Sequence, residues 1–223
     1  MAMNVINLCL LSAGLGLQLV LVVVLFRRGV ARRFPIFTLL VIFYVLRSVG
    51  LFALFDYLTR SAYSQLYDFL SFADLCLQIL LAGEIAFSIL RQIPRWNSGW
   101  TLRRMAKVAF FAALALGAAG GVASVLPTPG RVPVDRGAAF AAVLMALLLL
   151  WTVLARVAGT ARRIAEGFAV YGIVSVVAGI ERSYAALHRS AGAYAASSYA
   201  QAGIYLAVVI YWLFTFRAKP AAG

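Results

Sequence analysis

The residues that could do chemistry here are charges set inside long apolar runs. Arg47, Asp74, Glu84, Glu181 and Arg182 are all placed this way. A charge in hydrocarbon is costly, so it is ordinarily paired or functional. At 1.5 Å rise per residue, Arg47 falls about 20 Å from the basic end of its run and Asp74 roughly 25 Å, with Glu181 and Arg182 at roughly the same level. Four charges from three helices are therefore expected to share one layer in the outer half of the membrane, suited to ion pairing or to a pocket that holds a polar ligand.

Further polar groups sit beside that layer. Gln78 lies one turn from Asp74 on the same face, and Tyr44 lies one turn from Arg47. Tyr171, Ser175 and Arg182 share a face of a later helix. Pairing Arg47 with one acid and Arg182 with the other would neutralise the layer and leave the amide and hydroxyls as surplus. A pocket for a polar molecule uses such a surplus. The candidate ligand-binding set is thus Arg47, Asp74, Gln78, Tyr171, Glu181 and Arg182. Two other readings stay open: a network that only locks three helices together, and helix ends that put some of these groups among lipid headgroups. Glu84 lies about 10 Å from the basic end, with Ser88 one turn away. It is expected to hydrogen-bond a neighbouring helix, the alternative being a site that takes up a proton. An intramembrane enzyme would have Asp74, Glu181 and His188 as its acid–base set.

The elements that must position these groups follow from composition. Of 223 residues, 64% are hydrophobic and only 12% charged, and the mean hydropathy is +0.95. A soluble fold has too little polar surface here to cover its apolar residues. About 20 apolar residues cross a bilayer core, and helix satisfies the backbone within each crossing. Seven such runs are expected, at about 5–26, 35–58, 66–91, 106–126, 138–157, 167–187 and 199–217. Together they make a single all-α transmembrane domain over residues 1–223. The start, Met1-Ala2-Met3-Asn4, lacks a positive n-region, so the first run reads as a retained helix and not a signal peptide. Gly117 and Gly121 in the fourth run have a small-xxx-small spacing that favours close packing. Cys9 and Cys76 read as buried small apolar groups and not as a disulfide. Trp96, Trp100, Tyr57 and Tyr63 read as interface anchors, while Asp56, Asp68 and His188 fall at outer helix ends.

Orientation follows the basic residues. One set of loops holds Arg27, Arg28, Arg32, Arg33, Arg91, Arg95, Arg103, Arg104, Lys107, Arg156, Arg162, Arg163, Arg217 and Lys219. The other holds Arg60, Arg131, Arg136 and Arg189. By the positive-inside rule the first set is cytoplasmic, which puts the N-terminus outside and the C-terminus inside. The net charge of +13 is accounted for by these loops, so a nucleic-acid partner is not expected. Membrane lipids are the expected surroundings, and the basic loops could meet a protein partner. Ala31-Arg32-Arg33 and Arg60-Ser61-Ala62 are echoed by Ala161-Arg162-Arg163 and Arg189-Ser190-Ala191 at nearly equal intervals. Either helices 1–3 are duplicated as 5–7, or inner loops have converged on arginine.

Several chemistries lack their residues. One histidine, His188, cannot build a bis-histidine haem or a multi-histidine metal centre. The last helix has no lysine for retinal, and the Pro-Gln pairs of seven-helix sugar transporters are missing. There is no Gly-x-Ser-x-Gly elbow and no glycine-rich phosphate loop. No cofactor or metal is expected.

Through the Arg32–Phe37 stretch, Arg47, and the acidic third helix with Asp74 and Glu84, the chain resembles a loose group of uncharacterised bacterial seven-helix integral membrane proteins. That resemblance would cover the whole length and implies a bacterial inner-membrane topology, but no mechanism. A weaker likeness is to the seven-helix sensor regions that precede histidine kinases. The expected function is non-enzymatic: a small-ligand sensor, a carrier or an accessory subunit.

Overall fold

A computed structural model describes residues 5–54, 57–92, 143–150, 159–188 and 190–217. The described residues form helices and the turns between them, with no strand among them. The helices are α1 (Val5–Arg27), α2 (Val30–Arg33), α3 (Pro35–Leu54), α4 (Arg60–Gln92), α5 (Thr160–Leu187) and α6 (Ala191–Arg217). Residues 143–150 are also helical. Four stretches are long and apolar enough to cross a membrane: Pro35–Leu54, Ser61–Ile89, Thr160–Arg182 and Gly192–Arg217. Ser12–Arg27 is a shorter apolar helix. The fourth expected helix, with Gly117 and Gly121, lies outside the described residues, as do Asp56, Trp96 and Trp100; the fifth is described only over 143–150.

Where the helices begin differs from the apolar runs, because caps and not hydropathy decide it. α4 starts at Arg60 and not near residue 66, since Thr59 Oγ1 accepts the Ala62 N–H at 3.3 Å. α6 starts at Ala191 and not at 199, since Ser190 Oγ accepts the Ala193 N–H at 3.4 Å. The start of α5 is polar too, and Arg162 Nε donates to Glu166 Oε1 at 2.7 Å one turn on. α3 is described as far as Leu54, whose carbonyl accepts from the Tyr57 and Leu58 N–H groups.

Two glycines make turns that other residues resist. Gly29 has φ 69° and Gly159 φ 107°, both in the left-handed region where a Cβ is penalised. Each stands two residues before an Ala-Arg-Arg triplet. The two starts then diverge. Phe34 breaks α2 from α3, whose first residue is Pro35, whereas α5 runs on without a break.

The chain divides into two compact units, residues 1–80 with 206–223 and residues 81–205. In the first unit the buried side chains gather toward the arginine-bearing helix ends. Leu21, Leu25, Phe37 and Leu40 are fully buried there. The Phe37 ring stands edge-on to Trp212, with centroids 5.1 Å apart, and to Phe216 at 6.0 Å. Lipid gives no hydrophobic reward for helix association, so close packing of this kind has to hold the helices. Thr38 is buried in the same region and donates its hydroxyl to the Phe34 carbonyl at 3.1 Å. In the second unit Leu81, Ile85, Ile89, Ile164 and Ala165 are fully buried. Cys9 is exposed and Cys76 half-buried, both as free thiols. The expectation that Cys9 is buried is thus corrected: it lies on an outward face of an apolar helix. Tyr57 is 85% exposed. His188 is exposed just past the end of α5, whereas Asp68 is exposed but lies about two turns inside α4 and not at its end, because that helix starts at Arg60.

Candidate functional site

A polar stripe runs along α4 at Tyr67, Ser71, Asp74 and Gln78, spaced four, three and four residues apart. That spacing keeps all four on one helical face. α3 brings Tyr44 and Arg47, one turn apart, to the same place within the first unit. Arg47 Nη1 donates to Asp74 Oδ2 at 3.1 Å, and Nη2 donates to Ser71 Oγ at 3.3 Å. The guanidinium also lies over the Tyr67 ring, 5.3 Å from its centroid, within cation–π range. Gln78 Nε2 donates to Asp74 Oδ1 at 3.0 Å and reaches the Tyr44 hydroxyl at 3.5 Å.

The arrangement fixes what each group can do. Asp74 accepts on both carboxylate oxygens, which ties it to two donors at once. Arg47 spends one donor on Asp74 and one on Ser71, and the rest of its fork of N–H groups has no acceptor among the described residues. The side chains of Arg47 and Asp74 are 19% and 18% exposed, so the pair is sheltered but reachable.

The second unit carries its own polar cluster. Gln201 Nε2 donates to Ser175 Oγ at 3.1 Å and reaches the Tyr171 hydroxyl at 3.5 Å. Tyr171 stacks edge-on to Tyr205 with centroids 5.4 Å apart. The shared face of Tyr171 and Ser175 is therefore used by one amide from α6. Arg182 turns back on its own helix, with Nε donating to the Ala178 carbonyl at 3.2 Å. Glu181 is exposed and makes no ion pair among the described residues. The expected pairing of Arg182 with an acid is thus not found among those residues, because neighbours in sequence point about 100° apart on a helix and cannot face each other. His188 packs against the Tyr184 ring at 4.1 Å. Glu84 and Ser88 are half-buried.

Of the residues singled out by sequence, Arg47, Asp74 and Gln78 are hydrogen-bonded together, while Ser71, Tyr67 and Gln201 join the clusters without having been singled out. Ser71 and Tyr67 were findable from the spacing back from Asp74. Gln201 was findable as the one amide in a helix of small and apolar residues.

These features define a helical membrane protein with a charged network set among apolar spans. No protein-family model matches the chain, and no curated protein or solved structure is detectably similar to it.

Proposed function

We propose that the chain is a multi-pass protein of a bacterial inner membrane, a single seven-helix domain with its N-terminus outside and its C-terminus cytoplasmic, that binds a small polar ligand without chemical turnover. The ligand meets the Arg47 cluster, and the protein acts as a sensor, a carrier or an accessory subunit. One observation carries this reading: among the described residues Arg47 bonds Asp74 and Ser71 and its remaining donors meet no acceptor. A purely structural pair needs no such remainder, because an arginine in hydrocarbon loses energy for each donor left without an acceptor. A carboxylate- or phosphate-bearing small molecule would fill them, and Tyr44, Gln78 and Tyr67 offer further polar edges beside the guanidinium. Orientation is supported by the arginine-rich ends: α1 and α6 close on Arg27 and Arg217, and Arg162 and Arg163 open α5. A sensor would pass its signal to a protein partner through these basic loops, whereas a carrier would need none.

The test is thermal stabilisation of the purified protein in lipid nanodiscs by a panel of small carboxylates and phosphates. One chemical class should raise the melting temperature of the wild type and leave Arg47→Gln unmoved. A panel with no stabilising member, or a shift that survives Arg47→Gln, would reduce the cluster to a clamp between α3 and α4. Uptake by proteoliposomes then separates carrier from sensor.

A further inference from the structure

We propose that the arginine-bearing end of the first unit holds an anionic phospholipid, with its phosphate among Arg27, Arg28 and Arg217 and one acyl chain along the last turns of α1. A cavity of about 410 Å³ opens there, within the range of small-molecule pockets. Its walls are sorted by polarity. Leu19, Val20, Val23 and Val24 form the apolar side, and the three arginines form the other. Leu19 and Val23 are more than half exposed, so a chain lying there covers surface that packing leaves bare.

Position along the helix puts this polarity in the order a lipid requires. Leu19 to Val24 lie within the apolar stretch Ser12–Arg27, and the arginines follow at its end. A lipid in the same leaflet likewise passes from chain to charged head at the hydrocarbon boundary. Among the described residues the arginines also lack a counterion. The described acids of this unit are Asp68 and Asp74, Asp74 is taken by Arg47, and no ion pair joins Arg27, Arg28 or Arg217 to an acid among the described residues. Instead Arg28 Nη2 donates to the Arg217 backbone carbonyl at 2.7 Å. That bond caps the end of α6 and fixes one guanidinium at the mouth of the cavity. Three cations lining one cavity repel one another unless an anion sits between them.

A free anion would have no use for the apolar wall, and a neutral lipid would have no use for three arginines. The combination selects an anionic head with a chain attached. The proposal rests on the chain lying in a bilayer and is independent of the Arg47 cluster, so Arg47→Gln should leave it untouched.

Native mass spectrometry of the full chain, released from detergent with phosphatidylglycerol or phosphatidylcholine of matched chains, tests it. The wild type should retain phosphatidylglycerol and lose phosphatidylcholine. The double variant Arg27→Gln, Arg217→Gln keeps the Arg28 bond to the backbone of α6. It should bind phosphatidylglycerol roughly thirtyfold more weakly, as expected for two interfacial arginines. Val23→Trp, which fills the groove, should weaken phosphatidylglycerol retention with all three arginines in place. Excess inorganic phosphate should not displace the lipid. Equal retention of the two lipids, unchanged phosphatidylglycerol binding in the double variant, or displacement by phosphate would each overturn the proposal. If the double variant does not fold, the wild-type preference and the phosphate competition decide the matter.

Discussion

Arg47 Nη1 and Asp74 Oδ2 stand 3.1 Å apart, joining α3 to α4 through an ion pair set in two long apolar helices. The pair is not a two-pronged fork. Gln78 already donates to the other carboxylate oxygen, so the second nitrogen of Arg47 turns to Ser71. Asp74 is thereby held by a charged donor and a neutral one, and Arg47 is held at an angle that leaves part of its fork open.

Removing one member should hurt more than removing both. Asp74→Ala leaves Arg47 sheltered without its carboxylate, and a broken buried pair costs about 3–5 kcal/mol. With roughly a fifth of each side chain exposed, the low end of that range, about 3 kcal/mol, is expected. The double variant Arg47→Leu, Asp74→Leu should recover much of the loss. Thermal unfolding of the two single variants and the double variant checks this. A double variant worse than either single would mean the pair contributes net stability, contrary to the argument.

The positive backbone angles at Gly29 and Gly159 should make both positions intolerant of branched side chains. Beyond the adjoining residues, no described atom stands within 4 Å of a Cβ added at either position, so the loss is expected from the backbone. Gly29→Val and Gly159→Val should each cost about 1–2 kcal/mol. Gly29→Asn should be nearly neutral, because Asn enters the left-handed region readily, and Gly159 at φ 107° should reject Asn more strongly. Melting temperatures of the four variants give the answer, and equal losses for Asn at the two sites would contradict the backbone explanation.

Orientation is open to direct measurement. A phosphatase that works only outside the cytoplasm should be inactive when fused after Arg217 and active when inserted near Ser190, the start of α6. A fluorescent protein that matures only in the cytoplasm should show the reverse. Activity of the phosphatase fused after Arg217 would invert the assignment drawn from the arginines.

That the chain is helical and apolar enough for a membrane, and which polar groups are out of place in it, can be read along the chain. The reason is one-dimensional: length, hydropathy and depth along a helix are all counted along the chain. Hydropathy sets the starts of α4 and α6 too late, because it does not register the turns capped by Thr59 and Ser190. Depth alone made Asp74 and Glu181 equal candidates for Arg47. The folded first unit supplies Asp74 as the partner, because pairing depends on which way each helix is rotated about its axis, and rotation is set by packing against neighbours. Packing turned Asp74 toward Arg47 and left Glu181 exposed. It also gave Gln201 to Ser175 and Tyr171, and folded Arg182 back onto its own helix.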